Sequence, residues 1–289
     1  MKTKQFKNAP KFEQLQKLAV AIQSGNRYNA MSEVNRLLES PLFAGKAWQA
    51  NLLKLKTVIQ YDVAQFPIFK LDGNSKLPFV AFSSLPAVTC PGAGDCLEFC
   101  YSFRAWRFPA AFARMAQNAW LMINCQDAIR EAAADIVRKL GSATLRLYVD
   151  GDFASVEDVI FWMNTLQEFP SINAYGYSKS FAELLDYHAT GREWPVNYQL
   201  NISSGHCHDA QTLADVKELP IVRGEFVAVS IGRKVKGDDH GKPETNEAIR
   251  KAFGAKLFPC PGSCGSCTSK GHACGSARFK GLTIAIAMH

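Results

Sequence analysis

No stretch of this 289-residue chain approaches the roughly 20 apolar residues that a membrane-spanning helix needs, so insertion into a bilayer is excluded. The opening residues, Met1-Lys-Thr-Lys-Gln-Phe-Lys7, have no apolar run of signal-peptide type behind them. The expectation is a cytoplasmic protein with reduced thiols. There is no P-loop. No glycine-rich dinucleotide fingerprint follows the first predicted strand, so neither of those phosphate-binding modes applies. Low-complexity tracts are absent as well. The nine cysteines are an odd number, and nothing points to secretion, which argues against a disulfide framework.

What the chain has is an uneven charge. Its net charge is +7. Residues 1–60 hold ten Lys and Arg against three Asp and Glu, a surplus of seven, whereas residues 61–289 hold 23 of each sign. A basic segment of this kind attracts nucleic acid or an acidic protein, and it is equally what a solvated, lysine-rich helical face looks like. Phe12, Leu15, Leu18, Ala19 and Ile22 form one apolar stripe at helical spacing, Gly25-Asn26 interrupts it, and Met31, Val34, Leu37 and Leu38 begin another that stops near Ser40-Pro41. A third helix is predicted over Lys46–Tyr61. Residues 1–65 are thus expected to form a basic helical segment, separate from an α/β domain over 66–289.

From residue 77 short β-branched runs alternate with helical stretches. Strands are predicted at Pro78–Phe82, Thr144–Val149, Ile172–Tyr177, Tyr198–Ile202, Phe226–Ile231 and Leu282–Ala287. Helices are predicted at Pro109–Leu140, Val156–Glu168, Phe181–His188, Gln211–Glu218 and Glu244–Phe253. Repeated β-then-α units impose parallel pairing with right-handed crossovers. The predicted fold is a six-stranded parallel sheet, a partial (β/α) barrel, in which the loops after the strands share one face and carry the chemistry.

Seven of the nine cysteines lie in two runs that both open with Cys-Pro-Gly. The first holds Cys90, Cys96 and Cys100, and the second holds Cys260, Cys264, Cys267 and Cys274. Thiols interleaved with small residues can converge on one point, as zinc or an iron–sulfur cluster requires. Four cysteines suffice for a closed centre, whereas three would hold three irons of a four-iron cluster and leave one open. His272 is a candidate to replace one cysteine, and one of His206, Cys207 and His208 to complete a site. Cys125 reads as a small buried hydrophobe within the long helix.

Other polar residues end successive strands. Asp150-Gly151-Asp152 offers acceptors to a cationic ligand, or a turn in which an Asp or Ser155 caps the next helix. Lys179, among the hydroxyls of Tyr177–Ser180, can bind an anionic group or stand in a solvated turn. Ser203-Ser204 can reach a ribose hydroxyl or serve the loop alone. Trp106, Trp120 and Trp162 lie in helical stretches and read as core.

A six-stranded β/α chain with three cysteines after its first strand resembles the radical S-adenosylmethionine enzymes. That resemblance implies an open iron binding the cofactor, with Asp150 to Asp152 near its amino group. The family's cysteines are separated by three residues, then two, whereas the first run here has five, then three. The second run has the family's spacing at the opposite end of the chain, with Ser266 where an aromatic is usual. A closer resemblance is to the gene product 88 family of phages, plasmids and other mobile elements. It is carried by Cys90-Pro-Gly-Ala-Gly-Asp-Cys96 with Cys100-Tyr101, by Arg146-Leu-Tyr-Val-Asp-Gly-Asp-Phe-Ala-Ser155, Trp162 and Tyr177-Ser-Lys-Ser180, and by the terminal run, over roughly residues 77–289. Two functions are expected. One is a metal- or cluster-binding protein of radical S-adenosylmethionine type. The other is a non-catalytic mobile-element accessory protein, such as a conjugation- or defence-interference factor, with structural metal and a basic binding arm.

Overall fold

The computed structural model describes residues 9–72, 76–233, 235–236, 239–253, 257–265, 267–269 and 271–288. Lys2, Lys4 and Lys7 of the basic segment, Ser266 and His289 lie outside these residues.

Three helices come first: α1 (Ala9–Gln23), α2 (Arg27–Glu39) and α3 (Lys46–Tyr61). Asn26 caps α2 by accepting from the Asn29 N–H at 3.0 Å. The predicted stripe residues Phe12, Leu15, Leu18, Ala19 and Ile22 are all buried. They do not make a core of their own. Phe12 packs on Phe103 and Trp106, with ring centroids 5.1 and 5.3 Å away, and Trp48 lies 6.2 Å from Phe112. Asp62, the left-handed C-cap of α3, accepts from Trp120 Nε1 at 2.8 Å and pairs with Arg27 at 2.5 Å. The helical segment expected to stand apart therefore shares one hydrophobic core with the α/β body.

The body is a seven-stranded, all-parallel sheet curled into a half-barrel, with one strand more than predicted. Its strands are β1 (Val80–Ala81), β2 (Ala143–Leu147), β3 (Ile172–Ser178), β4 (Tyr198–Ser203), β5 (Val222–Val229), β6 (Phe258–Pro259) and β7 (Ile284–Ala287), in spatial order β1-β2-β3-β4-β5-β7-β6. The unforeseen strand is β6, two residues long and ending in a proline, which only an edge tolerates. The long helix predicted over Pro109–Leu140 is two, α4 (Pro109–Asn124) and α5 (Gln126–Leu140). Cys125, with φ −156°, is the joint between them rather than a residue within a helix. The remaining helices are α6 (Val156–Glu168), α7 (Phe181–Ala189), α8 (Ala210–Lys217) and α9 (Pro243–Phe253).

Strand alternation separates two faces. Leu145, Leu147, Ile172, Ala174, Leu200 and Ile202 join the helix-side core, as do Trp106, Trp120 and Trp162. Tyr175 and Tyr177 point the other way, into a cluster with Phe79, Phe226, Ile284 and three terminal-run cysteines, Cys260, Cys267 and Cys274. The face free of helices is thus filled by the second cysteine run. Among the described residues no helix is long and apolar enough to cross a membrane.

Candidate metal centre

The terminal run starts directly after β6, and Cys260 N–H bonds the Ala285 carbonyl of β7 at 2.7 Å. The run then crosses the open side of the half-barrel. Cys264 N–H bonds the Lys76 carbonyl at 2.7 Å, just before β1, and the His272 ring packs 4.7 Å from Phe79 and 4.9 Å from Tyr175. Two backbone N–H groups are aimed at sulfur: Gly262 at Cys260 Sγ (3.4 Å) and Ala273 at Cys267 Sγ (3.3 Å). Burial pushes the Cys260 thiol up to about 12, opposed by the Gly262 N–H and reinforced by Cys274, Cys264 and Cys267. Burial likewise pushes Cys274 up to about 11, with Cys264 adding to the effect. Cys260 thus feels the other three thiols of the run, and Cys274 feels Cys264.

The first run sits at the carboxyl ends of β2 to β4. Gly94 and Cys96 N–H groups bond the Gly205 carbonyl at 3.0 and 3.2 Å, and Cys207 N–H bonds the Gly92 carbonyl at 3.1 Å. Gly92 lies so close to the Lys179 carbonyl that a Cβ would stand 1.6 Å from its oxygen. Cys90, Cys96 and Cys100 are each raised by burial. The Asp152 carboxylate adds to the shift at Cys90 and Cys96, and Lys179 opposes it at both. Cys90 feels Cys100, and Cys100 feels Cys96. The largest thiol influences on Cys90, Cys100, Cys260 and Cys274 come from cysteines of the same run.

The structure brings most of the predicted strand-end residues together. Asp152 is 4% exposed and accepts from Ser178 Oγ and Lys179 N–H, both at 2.7 Å, and from Phe153 N–H at 2.9 Å. Lys179 Nζ donates to Ser203 Oγ at 2.8 Å. Ser204 Oγ turns away, to accept from Ala228 N–H at 2.9 Å on β5. Gly151 takes φ +82°, and a Cβ there would meet Thr89 Oγ1 at 2.7 Å. Ser155 caps α6, accepting from Asp158 N–H at 3.4 Å, which leaves Asp150 and Asp152 out of the capping role. Burial raises the Asp150 carboxyl. Hydrogen bonds from Ser102 and Ser83 and the cations Arg146 and Arg114 oppose it.

Among the described residues no three His, Cys, Asp or Glu side chains stand together in ready metal-ligating geometry. The donor chemistry still fits a metal. Cys260, Cys267 and Cys274 pack in one cluster, and two of the run's sulfurs receive backbone N–H bonds, as thiolate ligands do. The strand ends do not fit S-adenosylmethionine. Both oxygens of Asp152 are engaged within the protein, and the charge of Asp150 is already met by those of Arg146 and Arg114. The cavity beside Ser203, Ser204 and His206 is ≈ 70 Å³, room for solvent but not for that cofactor. Of His206, Cys207 and His208, the last donates from Nε2 to the Lys179 carbonyl (2.8 Å), and Cys207 is exposed.

Sequence reasoning assigned no role to Arg146 or Arg223. Arg146 is the one charged residue of β2, and Arg223 stands with Glu225 in a β5 that is apolar over its second half. No curated protein and no solved structure matches this chain. A family model does match, over residues 53–279. The match opens inside α3, earlier than the motifs alone indicate, and spans both cysteine runs. The chain belongs to the Gene product 88 family.

Proposed function

We propose that this protein is a thiolate metal- or iron–sulfur-binding protein. Cys260, Cys264, Cys267 and Cys274 hold one closed centre, and Cys90, Cys96 and Cys100 offer a second, three-thiol site at the strand ends. The observation that carries this reading is the pair of backbone N–H groups aimed at Cys260 and Cys267, which share a cluster with Cys274. An N–H donor favours the thiolate over the thiol, and burial opposes it. A bound cation resolves that conflict by displacing the protons. The metal would supply cross-linking of four chain positions; no step of a radical mechanism is assigned, because the strand-end residues do not fit the cofactor that it requires. The family points to a phage or other mobile-element protein.

The test is anaerobic purification of the full chain followed by zinc, iron and sulfide analysis, for the parent and for a Cys264→Ser/Cys267→Ser variant. The variant is expected to lose the metal of one centre and to melt at lower temperature. Unchanged metal content in the variant refutes the assignment.

A further inference from the structure

Two guanidinium groups are set against the terminal run, and among the described residues no carboxylate is bonded to either. Arg223 on β5 is completely buried. Its donors go to neutral oxygens: Asn201 Oδ1 at 2.8 Å and the carbonyls of Leu282 (2.7 Å), Phe279 (3.1 Å) and Glu225 (3.4 Å). The Glu225 carboxylate is turned instead to Lys217, at 2.9 Å. Asn201 ties Arg223 to the run, because its amide also donates to the Cys274 carbonyl at 2.9 Å. Arg146 on β2 lies over the Tyr177 ring, 4.8 Å from its centroid. Its Nε is buried with no hydrogen-bond partner. Tyr101, Tyr177, Tyr175 and Cys264 are the groups whose charge, when ionised, would act on it most. Asp150 feels its charge, shared with Arg114, without an ion pair to either among the described residues.

A buried cation needs a counter-charge close by. Phenols and thiols are neutral at physiological pH, and the one carboxylate that Arg146 feels, Asp150, is shared with Arg114, so Arg146, Arg114 and Arg223 against Asp150 leave a surplus of two positive charges among these side chains. Four thiolates on one divalent ion carry a net charge of minus two, and four thiolates on a cluster whose core is doubly positive carry the same. A site in which His272 replaced one thiolate would carry only minus one. Its Nδ1 is occupied by the Gly275 N–H at 3.2 Å, and its ring is held between Phe79 and Tyr175.

We propose that the terminal run holds a doubly negative four-thiolate centre and that Arg146 and Arg223 are its counter-charges. The two arginines are positioning residues, acting on the centre through its charge without ligating it. This rests on the metal reading above, and goes further by giving the centre's charge, its full ligand set and the two residues that tune its affinity.

The experiment is zinc competition against a chromophoric chelator, with the full chain and with Arg146→Met, Arg146→Lys and Arg223→Met. Arg146→Met keeps the bulk and removes the charge. Its zinc affinity is expected to fall roughly 10–100-fold, the usual effect of losing a partner just outside the ligand sphere, with unchanged saturation stoichiometry. Arg146→Lys should restore most of the loss. The metal-free Arg146→Met protein should be at least as stable as the metal-free parent, because an uncompensated cation has been removed; a merely structural arginine would give the opposite sign. Parental zinc affinity in both Met variants overturns the counter-charge assignment and leaves the metal reading standing. Should Arg223→Met not fold, Arg146→Met decides alone. A parent chain that takes up neither zinc nor iron overturns both.

Discussion

Asp152 was expected to contact a ligand, yet its geometry is that of a clamp between strands, and the two roles separate under substitution. Asp152→Ala removes the acceptor of Ser178 Oγ, of Lys179 N–H and of Phe153 N–H. Ser178 is 1% exposed, so water does not replace the carboxylate there. Each buried donor left without a partner costs about 1–3 kcal/mol, so the two donors from the end of β3 together cost about 2–6 kcal/mol. Part of this is offset, because burial raises the Asp152 carboxyl and its charged form is itself unfavourable in place. The expected net loss is about 2–5 kcal/mol, a large share of the 5–15 kcal/mol typical of a folded domain. Asp152→Asn keeps one oxygen but turns an amide donor on Lys179 N–H or Ser178, and should fall between the parent and Asp152→Ala. Urea unfolding followed by tryptophan fluorescence reads the difference directly. A ligand-contacting carboxylate with no clamping role would leave unfolding unchanged. A loss below about 1 kcal/mol for Asp152→Ala would refute the reasoning.

Two further outcomes follow from the core. Burial pushes the Asp158 carboxyl from 3.8 up to about 6, with the Ala154 N–H opposing and Glu157 adding. The folded state therefore binds more protons than the unfolded one between about pH 4 and 6, and stability falls by about 3 kcal/mol as pH rises through that window. Asp158→Asn should abolish this slope, gaining on the parent above pH 6 and matching it near pH 4 in urea titrations; a pH-independent gap would refute it. Removing residues 1–61 strips ring partners from Phe103, Trp106 and Phe112 and the Arg27 guanidinium from Trp120. At about 1.5–3 kcal/mol for each of the three large side chains that lose a ring partner, the loss reaches about 4.5–9 kcal/mol, so circular dichroism should show an unfolded remainder and a cooperative transition would contradict this.

How far the fold could be read varied with the strength of the local signals. α3 and α6 begin and end where predicted, since α6 has a Ser155 cap and α3 has an unbroken apolar stripe. The first half of β5 was missed because Arg223 and Gly224 interrupt its β-branched pattern, and both are there for contacts distant in sequence. The break at Cys125 carries neither glycine nor proline, and helical periodicity continues across it. Cysteine spacing showed a four-thiol set, whereas its seat against Tyr175 and Tyr177 depends on how the sheet curls, a property of the whole chain. The same holds for the N-terminal helices: their stripe was legible, but the face on α4 that covers it was not.

The two cysteine runs take on a common sense once the sheet order is known. β1 and β6 are its two edges, each only two residues long, and each is the strand that precedes a Cys-Pro-Gly run. An exposed parallel edge presents unpaired N–H and C=O groups that invite pairing with another chain. At β1 that edge is already occupied at Ala81, whose N–H and C=O both pair with Lys70. The terminal run connects the two ends of the sheet, leaving β6 at Cys260 and reaching the segment before β1 through Cys264 N–H and the Lys76 carbonyl. A centre joining Cys260 to Cys264, Cys267 and Cys274 would therefore tie one edge of the sheet to the other. Ten residues after β1 the first run packs instead on the ends of β3 and β4, through Gly92, Gly94 and Cys96. It leaves its three thiols beside the Asp152–Lys179–Ser203 network rather than across the opening. On this geometry the fourth thiol distinguishes a latch that closes the barrel from a three-thiol site left at its rim.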